Sequence, residues 1–196
     1  VETRRDHTRV MRPYARRRVR ALGRGGLSGY LFKKGSPSCG PWKVKCYDGE
    51  GAIAGENGVG LFAAAVRSAF PLMPVQDERG LDEPNGRESF LRRVFAYDCW
   101  RRWWGERYSH PRLVRFHRAH APLLHASNPA LTDALGEVLE TARGDAARTV
   151  LQRYGSRFLD AVPAGPAVDW PDTDAGDSPE SPCRQCRTSA FGTLVA

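Results

Sequence analysis

The sequence predicts an α/β part followed by an all-α helical part and a disordered tail. Three observations lead there. Apolar strand patterns alternate with helical ones up to about residue 105. Three helix patterns then follow with no strand pattern among them. Beyond Pro163 the chain is mostly Pro, Asp, Ser and Gly, with little to bury. The expected domains are therefore 1–105, 106–162 and a tail over 163–196.

The elements can be justified in order. Asp6 to Leu22 reads as a helix, because Val10, Tyr14, Arg18 and Leu22 recur at i, i+4, with Asp6 as N-cap and Gly23 as stop. Leu27 to Lys33 is short, apolar and aromatic, and reads as a buried strand. It runs into the sharp loop Gly35-Ser36-Pro37-Ser38-Cys39-Gly40. Trp42 to Tyr47 is a second strand, and Gly-rich Asp48 to Gly60 a loop. Gly60 to Phe70 is helical and ends before Pro71. Leu72 to Val75 is a short strand, and Gln76 to Gly86 a polar connection. Arg87 to Gly105 is a strong helix, with Phe90, Val94, Tyr97 and Arg101 down one side. Pro111 to His125, Pro129 to Ala142 and Ala146 to Val162 complete the helical part.

Composition narrows the function classes. Of 196 residues, 41% are hydrophobic and 27% charged, which is a globular balance rather than an intrinsically disordered one. No apolar run approaches the roughly 18 residues that span a bilayer, so no membrane partner is expected. No signal peptide opens the chain, and five cysteines are an odd number for a disulfide scaffold. A reducing cytoplasm is the expected compartment. The net charge is +8, and Arg far outnumbers Lys, which fits a GC-rich genome.

The loop after the first strand carries the chemistry. α/β proteins place their sites beyond the carboxyl ends of strands. Pro37 restricts the backbone and Gly40 frees it, so the Cys39 thiol can be aimed by the chain. Ser36 and Ser38 flank it, and Lys33 and Lys34 place positive charge nearby, which suits a thiolate. From spacing alone Cys39 is a nucleophile, a metal ligand or part of a structural turn.

Gly29-Tyr30-Leu31-Phe32-Lys33-Lys34-Gly35-Ser36-Pro37-Ser38-Cys39-Gly40 resembles the G-x-x-x-K-x-x-S-P-S-C-G motif of the TudS-type thiouracil desulfidases. Further segments resemble that family in the same order: Gly58 to Ala63, Pro74 to Leu81, and Arg87 to Tyr97. Leu113-Val114-Arg115-Phe116-His117-Arg118-Ala119-His120 resembles the start of a YbgA-type domain of unknown function. The resemblance implies a three-layer α/β domain, incomplete here. It implies a desulfidase that removes sulfur from thiolated pyrimidines, with a small thiolated nucleobase as substrate. It also implies a [4Fe–4S] cluster held by three cysteines, whose open iron takes the thione sulfur. A carboxylate and a Ser would activate water.

Only Cys39 carries over as a cluster ligand, and Ser36 and Ser38 as the pair containing the catalytic Ser. The family's other two cysteines lie in CLLG-type and CPE-type segments, the second of which also supplies the carboxylate. No Cys precedes Cys39 here, and the first residue is Val1. A truncated chain is expected, inactive as given and holding no stable cluster.

The remaining candidates have plain readings. Cys46 and Cys99 are expected as buried thiols. Cys183-Arg184-Gln185-Cys186 is half of a zinc or redox motif without a second half. His117 and His120 share a helical face and are expected to pack and hydrogen-bond rather than bind metal. Trp100, Trp103, Trp104 and Tyr108, interleaved with Arg, form either a domain junction or a surface that stacks bases. With the basic first helix, the latter makes a nucleic-acid-binding module the alternative function.

Overall fold

In the computed structural model, residues 6–104, 108–142 and 144–162 are described. The chain forms two compact units that divide between Arg87 and Glu88. The expected tail, with Cys183 and Cys186, lies outside the described residues.

The first unit is α/β. Helix α1 (Thr8–Gly23) starts where the Asp6 carboxylate accepts from the Thr8 N–H at 2.8 Å, satisfying one of the free amides of the first turn. Its apolar side buries Ala15 and Val19, and it packs on α2 (Leu61–Ala69), which buries Phe62, Ala63 and Val66. Strand β1 (Tyr30–Phe32) pairs in parallel with β4 (Val75–Asp77), placing Tyr30 opposite Val75 and Phe32 opposite Asp77. The carboxyl ends of both strands therefore point the same way. One feeds the Ser36–Gly40 loop, the other the short helix α3 (Glu78–Asp82). Asp77 caps α3 by accepting from the Gly80 N–H at 3.0 Å.

Two sequence expectations fail in this unit. The Gly-rich stretch expected as a loop contains strand β3 (Ile53–Gly58), antiparallel to β2 (Val44–Tyr47). Apart from Ile53, itself exposed, its residues are polar or small, so no apolar alternation marked it. The turn is organised instead by the Asp48 carboxylate, which accepts from the Glu50 and Ala52 amides, and by Gly51 at φ 90°. The polar connection over 76–86 likewise holds β4 and α3, with the strand three residues later than expected.

The second unit is all-α among its described residues. Helix α4 (Pro84–Trp104) runs into it from the end of the first, and α5 (His110–Ser127), α6 (Pro129–Thr141) and α7 (Ala147–Ala161) follow. Helix α6 starts with Asn128 accepting from the Leu131 N–H at 3.2 Å. The core contains Leu113, Phe116, Leu124, Leu135, Val150, Tyr154 and Phe158, all fully buried. Trp100 stacks on Tyr154 with ring centroids 5.5 Å apart and meets Phe116 edge-on at 5.2 Å. No described helix is long and apolar enough to cross a membrane.

Candidate active site

The loop after β1 is built onto the start of α2. The first amides of a helix have no partner within it. Here they serve the loop: Phe62 N–H donates to the Ser38 carbonyl at 2.8 Å, and Gly60 N–H to the Gly40 carbonyl at 2.8 Å. Gly60 is required by this approach. A Cβ there would stand 2.5 Å from the Ser38 carbonyl carbon and 2.7 Å from the Cys39 nitrogen. Gly40 N–H closes the loop on the Ser36 carbonyl at 2.7 Å.

Within this frame Ser36, Ser38 and Cys39 come together. Cys39 N–H donates to Ser36 Oγ at 3.2 Å. Ser36 Oγ lies 3.2 Å from Ser38 Oγ, which lies 3.3 Å from Cys39 Sγ. The first donor is fixed, because an amide can only donate. Ser36 and Ser38 then share one hydrogen bond, and Ser38 and the sulfur another. The result is a ring of hydrogen bonds that starts at the Cys39 amide and returns to the Cys39 sulfur.

Glu78 holds the other side of the loop. Its Oε2 accepts from Lys34 N–H at 2.7 Å, tying the strand exit to α3 across 44 residues. Its own backbone amide and that of Lys34, with the charges of Lys33 and Lys34, hold its carboxyl below the ordinary carboxylate range. Tyr30 opens β1 and is near enough to Cys39 to feel its charge. Burial pushes its phenol upward, and the charge of Cys39 adds to that. Tyr30, Phe32 and Phe62 form an aromatic trio with centroids 4.5 to 6.4 Å apart.

The other candidates lie elsewhere. Cys46 is exposed on β2, not buried as expected, with its Sγ 3.8 Å from the Val44 carbonyl oxygen. The hairpin carrying it has no buried face at that position. Cys99 is buried in the helical unit, 3.8 Å from His120 Nε2. His120 Nδ1 lies 2.8 Å from the Phe116 carbonyl, and His117 Nδ1 lies 2.9 Å from Tyr154 Oη. Both imidazoles face protein partners, as the sequence led us to expect. Trp100, Trp103 and Trp104 are buried among rings of α5 and α7 within the helical unit. Buried in this way, they offer no free face for bases.

Residues 1–78 match the family model for 2-thiouracil desulfurase. The match covers 78 of the 196 residues, and this segment is similar to the 2-thiouracil desulfurase family. No curated protein and no solved structure matches the chain.

The donor set can be tested against the cluster implied by the desulfurase resemblance. Three thiolates must converge to hold such a cluster. Cys39 sits in the loop, while Cys46 is on an exposed hairpin strand and Cys99 is in the other unit. Among the described residues, no group of three His, Cys, Asp or Glu side chains is placed to hold a metal ion. The described residues do not fit a three-thiolate cluster.

Sequence reasoning missed Glu78 and Tyr30. Glu78 lies inside the quoted Pro74–Leu81 segment, but its bond to Lys34 spans 44 residues and leaves no local signal. Tyr30 lies in the loop motif at a variable position and reads locally as any strand aromatic.

Proposed function

We propose that the Ser36–Cys39 loop is the sulfur-handling site of a desulfidase that acts on thiolated pyrimidines. The reaction exchanges a C=S bond for C=O. Water supplies the oxygen and two protons, and the sulfur leaves as hydrogen sulfide. Cys39 is the soft thiolate that meets sulfur chemistry, and one of Ser36 and Ser38 orients the water. The closed hydrogen-bond ring of Ser36, Ser38 and Cys39, inside the segment that matches the desulfurase family, carries this reading.

Cys39 would be one of three ligands of a [4Fe–4S] cluster only if two further thiolates came from outside the described residues. With Cys39 as the one thiolate at the loop among the described residues, the expected behaviour is binding of a thiolated pyrimidine without turnover and no stable cluster. The reading takes the thiols as free, as in a reducing cytoplasm. Anaerobic reconstitution with iron and sulfide tests it, together with isothermal titration of 2-thiouracil. The expected results are binding of 2-thiouracil, sub-stoichiometric iron and no change in thiouracil absorbance. A full complement of four iron atoms per chain, or no binding, would refute the reading.

A second reading rests on α1. Arg9, Arg12, Arg16, Arg17 and Arg20 border one groove with Pro13, and none has a carboxylate partner among the described residues. Such a stripe suits nucleic-acid phosphates. Affinity for single-stranded RNA that falls steeply from 50 to 200 mM salt would favour it (ranges of about 10³-fold are usual for many phosphate contacts).

A further inference from the structure

The proposed site has a sulfur and hydroxyls, but a thiolated pyrimidine is also a flat ring. Something must hold that plane. The aromatic trio is joined to the Cys39 loop through Phe62, and one of its rings is not fully buried. Phe32 and Phe62 are buried, at 3% and 8% exposure, whereas Tyr30 is only partly buried. Phe62 fixes Tyr30 relative to the loop. Its ring meets the Tyr30 ring edge-on at 6.0 Å, and its amide holds the Ser38 carbonyl, one residue from the thiol. Phe32 backs Tyr30 at 4.5 Å. The Tyr30 amide donates to the Pro74 carbonyl at 3.0 Å, so the residue is held by the sheet as well.

We propose that Tyr30 is the stacking platform that positions the pyrimidine plane at Cys39. The role is positioning and specificity, and it rests on the desulfidase reading of the loop. Two rings hold the Tyr30 ring and the sheet holds its backbone, so little freedom is lost when a base lies on it. Base–aromatic stacking tolerates different bases, because each has a π-face. Selection for sulfur would then fall to Cys39, and selection for a planar heterocycle to Tyr30. The phenol is not required for stacking; the ring is.

The test uses the full chain and 2-thiouracil as probe. Affinity is measured by isothermal titration, and ring contact by saturation-transfer NMR. Tyr30→Leu and Tyr30→Ala should each weaken binding by about tenfold or more. Tyr30→Phe should bind within about twofold of the parent. Circular dichroism checks folding, and if Tyr30→Ala does not fold, Tyr30→Leu decides, because it keeps the volume without the ring. If Tyr30→Leu folds and binds as tightly as the parent, the platform is wrong while the desulfidase reading stands. If Tyr30→Phe loses as much as Tyr30→Leu, the hydroxyl rather than the ring does the work, and the platform is again wrong. If the parent chain itself fails to bind 2-thiouracil, the desulfidase reading falls and the platform with it.

Discussion

The backbone amide of Cys39 donates to Ser36 Oγ, so the serine three residues earlier orients the peptide that carries the thiol. Ser38 sits between the two, within 3.3 Å of both Ser36 Oγ and Cys39 Sγ. The two serines therefore differ in what they support. Ser36→Ala removes the acceptor of a part-buried amide and the first link of the ring, and should cost about 1–2 kcal/mol in urea unfolding. Ser38→Ala removes the two hydroxyl links, to Ser36 and to the sulfur, but leaves the Cys39 amide paired with Ser36. It should leave unfolding nearly unchanged while altering the rate at which Cys39 is alkylated. Equal unfolding costs for both variants would contradict this division.

Glu78 offers a second test of the loop's attachment. Its carboxylate, pulled below the ordinary range, binds the Lys34 amide. A depressed carboxyl stabilises the fold above its ordinary pKa, and that contribution is lost as pH falls through the depressed value. Thermal melts of the parent should therefore drop on acidification more than those of Glu78→Gln. The side chain is exposed, so the difference should also shrink in high salt. Parallel melting curves at all pH values would show that the bond does not hold the loop.

The fold class was legible because both halves carry strong local patterns. In α5, Leu113, Phe116, His120 and Leu124 recur at spacings of three and four, and all four are buried as that period demands. The loop was legible because Pro37 and Gly40 punctuate it and its residues are contiguous. What escaped was non-local or polar. Strand β3 shows no buried face, so only its pairing with β2 reveals it. Glu78 reaches Lys34 through a parallel pairing that brings 32 beside 77, and no window of sequence contains both. The aromatic run in α4 was visible, but its partners Tyr154 and Phe158 lie some fifty residues away.

In the helical unit, Tyr154 is fully buried and 2.9 Å from His117 Nδ1. Burial pushes the phenol far up, so it stays protonated beside the ring nitrogen. Burial also lowers the His117 pKa from the ordinary 6.5. A histidine that is harder to protonate when folded leaves the unfolded chain binding more protons between the two values. Stability should thus decline as pH falls below about 6.5, and His117→Gln should flatten that decline. Tyr154→Phe leaves the His117 Nδ1 without this partner and should cost about 1 kcal/mol near pH 8. Urea titrations at pH 8 and pH 5.5 check both, and a parent whose stability does not change between them would refute the assignment.

Glycines 60 and 136 make opposite predictions from the same substitution. Gly60 opens α2 with its backbone against the Ser38–Cys39 peptide, where a Cβ would stand 2.5 Å from the Ser38 carbonyl carbon. That neighbour is backbone, already held by the Phe62 amide, so it cannot swing aside as a side-chain tip would. Gly60→Ala must push the loop off the helix, at a cost of about 1–3 kcal/mol. The displacement should also break the Gly60-to-Gly40 bond and expose Cys39 to faster alkylation. Gly136 lies inside α6, where an added Cβ would meet nothing within 4 Å. There Gly→Ala removes backbone freedom from the unfolded chain without a clash, and should stabilise by about 0.5–1 kcal/mol. Unfolding of each variant, followed by urea and by thiol alkylation, separates the two effects. If Gly60→Ala were as benign as Gly136→Ala, the loop would not be seated on α2, and the ring around Cys39 would lose its support.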